Sequence, residues 1–301
     1  MNSSGSIAHK RERFRQLHES GCFAIPNPWD IGSARYLQHL GFKALATTSA
    51  GFAFSRGLPD NAVRRDMMLA HIRELVEATD LPINADFENG FAHHPESVAE
   101  NVRLCVETGV AGLSIEDSTG VMEAPLYPLE HAVARIMAAR SAINASGADA
   151  VLVARAECFL VGSPDLDEVI RRLTAYAEAG ADCLYAPGLG RREEVSAVVQ
   201  AVAPKPVNVL ISSSMGLQLA DLAALGVRRV SVGGALARAA WGGFMRAARE
   251  LAKQGRVDTL AEAAPHGELQ EFFQHDAPQR AARATETEKW RALRARRSSR
   301  A

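Results

Sequence analysis

Two segments carry charged groups two positions apart, Asp86-Phe87-Glu88 and Arg155-Ala156-Glu157, and Glu116-Asp117 adds two adjacent carboxylates. In extended chain a spacing of two turns both side chains to the same side. Carboxylates gathered at one place repel one another, so a cluster of them calls for a cation. The donors are oxygens rather than His or Cys, which suits Mg²⁺, or Mn²⁺ in its place. Mg²⁺ keeps several waters and needs only one or two direct carboxylates. The planar guanidinium of Arg155 can grip a carboxylate or phosphonate at two points. A divalent cation beside one arginine makes a receptor for a small anionic acid.

Residues so far apart meet only if a fold carries them to one edge. Eight short β-rich runs each end in polar or turn-forming residues: Phe23–Ile25, Ala44–Thr48, Pro82–Asp86, Gly112–Ile115, Ala150–Ala154, Cys183–Ala186, Pro206–Ile211 and Arg229–Val232. Amphipathic helical stretches lie between them, among them Met67–Ala78, Pro95–Thr108, Leu129–Ala145 and Leu166–Ala179. Gly41, Gly109, Gly180 and Gly226 each stand between a helical stretch and the next strand. Glycine there closes a helix in the left-handed conformation. Repeated strand, helix, glycine, strand argues for βα units and a parallel sheet. Eight such units predict an α/β fold, a (β/α)₈ TIM-type barrel, with functional groups at the carboxyl ends of its strands. The predicted layout is an N-terminal helical extension over 1–20, the barrel over 21–242 and extra C-terminal helices over 243–301.

The rest of the composition is that of an ordinary soluble chain. Of 301 residues, 47% are hydrophobic and 23% charged, and the formal net charge of -1 gives no overall field toward nucleic acid or membrane. The basic run Arg291–Arg300 reads as a solvated helix end or tail. The four cysteines form no CxxC pair, the first residues hold no apolar signal core, and no apolar run reaches the length of a membrane span. A cytoplasmic protein is expected.

Several candidates have plainer readings. Asp117 serves equally as a helix cap or a ligand. Glu157 pairs with Arg155 or caps the next loop. His93 and His94 are adjacent, diverge, and read as loop residues before Pro95. Gly233-Gly234 could receive a phosphate or serve close strand–helix packing.

In their order along the chain, these segments resemble the isocitrate lyase/phosphoenolpyruvate mutase superfamily. The resemblance covers about Arg13 to Arg249. It rests on Thr48-Ser49-Ala50-Gly51, Gly57-Leu58-Pro59-Asp60, Ala85-Asp86-Phe87-Glu88-Asn89-Gly90, Ser114-Ile115-Glu116-Asp117, Val153-Ala154-Arg155 and Lys205-Pro206-Val207-Asn208. It implies a barrel enzyme that stabilises an enolate-type pyruvate species with Mg²⁺. By position, Asp86, Glu88 and Glu116 would serve the metal, directly or through water. Ser49, Ala50 and Gly51 would bind the substrate carboxylate, and Arg155 and Asn208 its other end. Arg155, Glu116 and Asp60 would form the catalytic group. It also implies a homo-oligomer, a dimer of dimers, whose C-terminal helices exchange between neighbours.

The chain departs from that pattern in three places, one of them a one-residue difference in spacing from some members in the strand-two region that carries Ser49, Ala50 and Gly51. The usual Asp-x-Asp is Asp86-Phe87-Glu88, with a longer second arm. The stretch Ser118–Pro128 lacks the Cys that serves isocitrate and methylisocitrate lyases as acid–base, and lacks the Asn and lysines of phosphorus-moving mutases. The leading expectation is thus a Mg²⁺-dependent lyase cleaving a C–C bond beside a 2-oxo (or 2-hydroxy) acid, such as a decarboxylase of oxaloacetate type. C–P chemistry on phosphonopyruvate or phosphoenolpyruvate, and a catalytically inactive small-acid-binding barrel, are the rivals.

Overall fold

The computed structural model describes residues 6–212 and 216–278. Eight parallel strands run in the sheet order β1-β8-β7-β6-β5-β4-β3-β2. They are β1 (Phe23–Ile25), β2 (Leu45–Ala46), β3 (Ile83–Asp86), β4 (Gly112–Glu116), β5 (Val151–Arg155), β6 (Cys183–Tyr185), β7 (Val207–Leu210) and β8 (Arg229–Ser231). The Ala46 amide donates to the Pro26 carbonyl at 3.1 Å, joining the two ends of the sheet into a nearly closed barrel. The helices outside it are α2 (Ile31–His39), α3 (Ser49–Ser55), α4 (Arg65–Ala78), α5 (Pro95–Glu107), α6 (Leu129–Ala145), α7 (Leu166–Glu178), α8 (Arg192–Ala201) and α9 (Leu219–Ala224). The four predicted helix-closing glycines all have positive φ, from 84° at Gly41 to 103° at Gly180.

Alternation along the strands splits the core in two. Leu45, Ile83, Leu113, Ile115, Leu152, Leu184, Val207 and Val230 face the helices. Phe23, Ile25, Ala46, Val151, Val153, Cys183 and Tyr185 form a separate inner cluster. That cluster includes Phe14, which comes from α1 (Ile7–Glu19) and is fully buried. The Phe14 ring meets Phe23 edge-on at 6.4 Å, and Gly112 makes room for it: a Cβ there would lie 2.8 Å from the ring. Phe23 and Gly112 both begin their strands, so α1 closes the amino end of the barrel. Buried Lys10 and half-buried Arg11 fix it by donating to the carbonyls of Thr79, Val76, Val110 and Val106. The segment read as an extension is a stopper for the barrel floor.

The chain divides into two compact units, Met1–Arg238 and Ala239–Ala301. Helix α10 (Ala235–Gln254) is continuous through residue 243, where the sequence suggested a boundary. The described part of the second unit continues with a 3₁₀ turn, Asp258–Glu262, and helical residues 266–278. It exposes Trp241, Phe244, Leu251, Leu260 and Phe273. The basic run Arg291–Arg300 lies outside the described residues. No helix among the described residues is long and apolar enough to cross a membrane.

Candidate active site

Four strands end on inward-facing polar residues: Asp86 closes β3, Glu116 closes β4, Arg155 closes β5 and Tyr185 closes β6. Neighbouring strands set Glu116 beside Arg155 and Arg155 beside Tyr185 in register. Arg155 is the centre of the group. Its Nη1 reaches Asp86 Oδ1 at 2.8 Å and Glu116 Oε2 at 3.1 Å, and its Nε reaches Glu157 Oε1 at 2.9 Å. Burial works against its charge, yet Glu157, Glu116 and Asp86 together hold it well above the usual arginine range.

The remaining residues gather around Asp86. Its second oxygen, Oδ2, accepts from both the amide and the hydroxyl of Ser49 at 2.9 Å. Ser49 begins α3 immediately after β2, where the Thr48 side chain caps the helix by accepting from the Gly51 amide. Two of the donors expected to meet a substrate carboxylate therefore serve Asp86, and the Gly51 amide serves its own cap. Half-buried Ala50 sits between them. Asp60 lies in the turn that follows α3. Burial and the charge of Asp86 raise its pKa.

Glu88 breaks the simple strand pattern. The extended chain ends at Asp86, and Glu88 has φ +47°, so two-residue alternation no longer fixes its direction. Its carbonyl accepts from the Glu116 amide at 3.0 Å, which locks the two strand ends together. Its Oε1 is buried and has no hydrogen-bond partner among the described residues. Burial first, then the charges of Asp86 and Asp60, push the Glu88 carboxyl up to about 8. Glu116 is likewise held well above the ordinary range by burial, although Arg155 opposes this.

An orphaned carboxylate oxygen beside two further carboxylates is a donor set that fits a hard divalent cation. No group of three or more His, Cys, Asp or Glu among the described residues is arranged to hold a metal on its own.

Other candidates fall elsewhere. Asn208 is fully buried within the barrel; it accepts from Arg229 Nε at 2.9 Å and donates to Ser231 Oγ at 3.0 Å. Asp117 turns outward from Glu116. It accepts from the Glu157 amide, from Arg172 Nη1 at 2.9 Å and from the Tyr176 hydroxyl at 2.6 Å, so it anchors α7 rather than capping a helix. Gly233 receives no cap role beyond its amide donating to Asn27 Oδ1 at 2.9 Å. His93 meets the Tyr127 hydroxyl at 2.5 Å, and the Arg135 guanidinium stacks 4.1 Å from the Tyr127 ring. Tyr127 ends the stretch Ser118–Tyr127, which closes on itself through a Ser118–Leu126 bridge and the Thr119 amide donating to Pro125. Cys158 is fully buried, and burial pushes its thiol up to about 11. Sequence reasoning did not single out Tyr185, Arg229 or Ser231. Tyr185 and Arg229 stand in register with Arg155 and Asn208, and Ser231, two residues beyond Arg229, bonds Asn208, which only strand pairing reveals.

The chain matches the phosphoenolpyruvate phosphomutase family over residues 14–252. It is 52% identical to a Burkholderia cenocepacia protein provisionally described as a lyase/mutase, with a TM-score of 0.86 over 89% of this chain and 97% of that one. It is 32% identical to an uncharacterised Mycobacterium tuberculosis protein across 85% of this chain and 94% of the relative. Two relatives have named activities. An oxaloacetate decarboxylase of Bradyrhizobium diazoefficiens is 30% identical over 64% of this chain and 68% of its own length. A 2-methylisocitrate lyase of Escherichia coli is 33% identical, with the match spanning 49% of this chain and about half of that enzyme, 51%. With the acidic rim on successive strand ends of an eight-stranded barrel, these matches show that the chain belongs to the isocitrate lyase/phosphoenolpyruvate mutase superfamily.

Proposed function

We propose that this chain is a divalent-cation-dependent lyase that cleaves a carbon–carbon bond next to the carbonyl of a small 2-oxo acid, most simply by decarboxylation of an oxaloacetate-like substrate. The observation that carries this reading is the rim itself. One arginine serves three carboxylates while Glu88 keeps a buried oxygen unpartnered, so the group holds more carboxyl groups than the protein's own cations pair.

Asp86 and Glu88 would hold Mg²⁺, with Glu116 reaching it through water. Bound there, the ion supplies Lewis-acid stabilisation for negative charge on a carbonyl oxygen. Arg155 presents a guanidinium whose Nη2 is outside the three ion pairs, and this group orients the substrate's carboxylate. Ser49 fixes the orientation of Asp86 through its amide and hydroxyl. The named relatives include an oxaloacetate decarboxylase and a 2-methylisocitrate lyase, which supports C–C cleavage of a small carboxylic acid. The thiol-free stretch Ser118–Pro128 favours the decarboxylase form, which needs no positioned Cys.

The test is a substrate panel of oxaloacetate, other 2-oxo dicarboxylates, methylisocitrate and phosphonopyruvate, assayed for pyruvate. Oxaloacetate-type acids should be turned over, EDTA should abolish the reaction, and Mg²⁺ or Mn²⁺ should restore it. Full activity in EDTA after exhaustive dialysis would remove the metal from this reading. Turnover of phosphonopyruvate alone would replace C–C by C–P chemistry.

A further inference from the structure

The turn that carries Glu88 out of β3 follows an unusual backbone path. Glu88 and Phe91 have φ +47° and +54°, values that residues with a side chain seldom adopt, and Gly90 between them has φ +74°. Such a run persists only where its surroundings hold it. Here every carbonyl from Glu88 to His93 accepts a hydrogen bond. The Glu88 carbonyl takes the Glu116 amide at 3.0 Å. Side chains of α5 and α6 meet the others. Buried Asn101, on α5, donates to the Gly90 carbonyl at 2.8 Å and to the Phe91 carbonyl at 3.3 Å. Its amide cannot face the other way, because its oxygen accepts from Arg65 Nη1 at 2.8 Å, and a guanidinium can only donate. Arg135, on α6, holds the rest. Its Nη2 donates to the Asn89 carbonyl, and its Nη1 to the carbonyls of Ala92 at 2.5 Å and His93 at 2.8 Å. Arg135 is 1% exposed and forms no ion pair among the described residues. A buried cation is costly, and this one is spent on the main chain of a single turn.

We propose that Arg135, seconded by Asn101, is a positioning residue of the cation site. By tying down the turn from Asn89 to His93 it holds Glu88 in its left-handed conformation, and so fixes the direction of the carboxyl whose Oε1 has no partner among the described residues. This role rests on the reading of Asp86 and Glu88 as cation ligands. Direction matters there because Mg²⁺ accepts little departure from its preferred geometry. Arg135 acts through Glu88 and not by contact with substrate. The same guanidinium stacks 4.1 Å from the Tyr127 ring, whose hydroxyl meets His93 Nδ1 at 2.5 Å, so the turn is also held from the end of the stretch Ser118–Tyr127.

The experiment titrates Mn²⁺ into the full chain at one pH, without substrate, and counts free ion by electron paramagnetic resonance. Arg135→Met, folded by circular dichroism, should bind Mn²⁺ about tenfold more weakly than wild type. Glu88→Gln should weaken binding as well. Adding Arg135→Met to Glu88→Gln should weaken it less than about twofold further, because both act through one carboxyl. With the substrate that the panel identifies, Arg135→Met should need about tenfold more Mg²⁺ yet keep kcat within about threefold of wild type once Mg²⁺ saturates. If Arg135→Met does not fold, Asn101→Ala carries the same comparisons, with a loss of about threefold in place of tenfold. A wild type that binds no Mn²⁺, or a Glu88→Gln that binds it as wild type does, overturns the cation reading and this role with it. Wild type and Glu88→Gln behaving as expected, beside a folded Arg135→Met or Asn101→Ala that keeps wild-type affinity or whose loss adds in full to that of Glu88→Gln, would overturn the positioning role alone.

Discussion

Arg155 answers to three carboxylates on three different strand ends, and no other cation can do the same work in its place. Lysine keeps the charge but loses the planar fork. Arg155→Lys should therefore lower kcat/KM by about thirty-fold, equivalent to about 2 kcal/mol, while the barrel stays folded. Kinetics equal to wild type would make Arg155 a purely structural ion-pair partner. Glu88 gives a prediction with a sign. Its carboxyl titrates near 8 in the folded metal-free protein against an ordinary 4.5. A raised value means the folded state holds a proton that the unfolded chain has released. Stability is full below about 4.5, declines as pH rises toward 8, and levels off above. Melting temperatures of the metal-free protein should fall across that window, and Glu88→Gln should flatten the slope. Equal slopes in the two proteins would assign the proton to another group. Asp86, Glu88, Glu116 and Arg155 were legible in the sequence because strand ends are where a parallel barrel places its chemistry. Asp117 was not, since adjacent residues at a strand end face opposite ways and only packing shows that Arg172 and Tyr176 wait on the outer side.

At the level of elements, the strand pattern came through nearly intact. Each predicted run contains its observed strand apart from one-residue extensions of β4 and β5, at Glu116 and Arg155. The shortening of β2 to Leu45–Ala46 reflects Thr48, whose hydroxyl turns the chain into α3. What the sequence hid was the role of α1, because nothing local distinguishes a solvated helix from one that inserts Phe14 into a barrel. Phe14→Ala should cost about 3–5 kcal/mol in chemical denaturation, the range for a large buried aromatic. A loss below about 1 kcal/mol would show that the helix frays without consequence. His18, on the same helix, packs on Phe14 and Phe23 at 4.7 and 5.2 Å. Burial, then the nearby Arg229 charge, lower its pKa to about 3. The folded protein thus refuses a proton that the unfolded chain accepts near 6.5. Its contribution is present above about 6.5 and is lost as pH falls toward 3, so acid should loosen the floor of the barrel before the rim.

For the molecule as a whole, a formal charge of -1 leaves association to apolar surface rather than to long-range fields. The second unit exposes Trp241 and Phe244, which meet edge-on at 5.4 Å, together with Leu251, Leu260 and Phe273. Such exposed apolar side chains call for a covering surface. The resemblance points to a second copy of the chain, and sedimentation should give a mass several times 32.3 kDa. Trp241→Asp with Phe244→Asp should shift it toward the monomer, whereas a monomeric wild type would remove the expectation of a tetramer. Whether helices exchange between copies is a separate question, answered by crosslinking a single cysteine in α10 to one in the barrel of its neighbour.

The hairpin-like stretch Ser118–Tyr127 is pinned at both ends: Asp117 is fastened to α7, and the Tyr127 amide donates back to the Asp117 carbonyl. Between those pins residues 120–124 are exposed, with Met122 at the tip 89% exposed, while Leu126 packs against the core. That makes the segment a cassette. Its exposed residues 120–124 make none of the contacts that hold the ladder of β4 and β5 or the charges around Arg155, so exchanging them should leave both undisturbed. A laboratory graft that carries a thiol into this cassette should fold as the parent does, and would ask whether specificity in such barrels is rewritten one loop at a time.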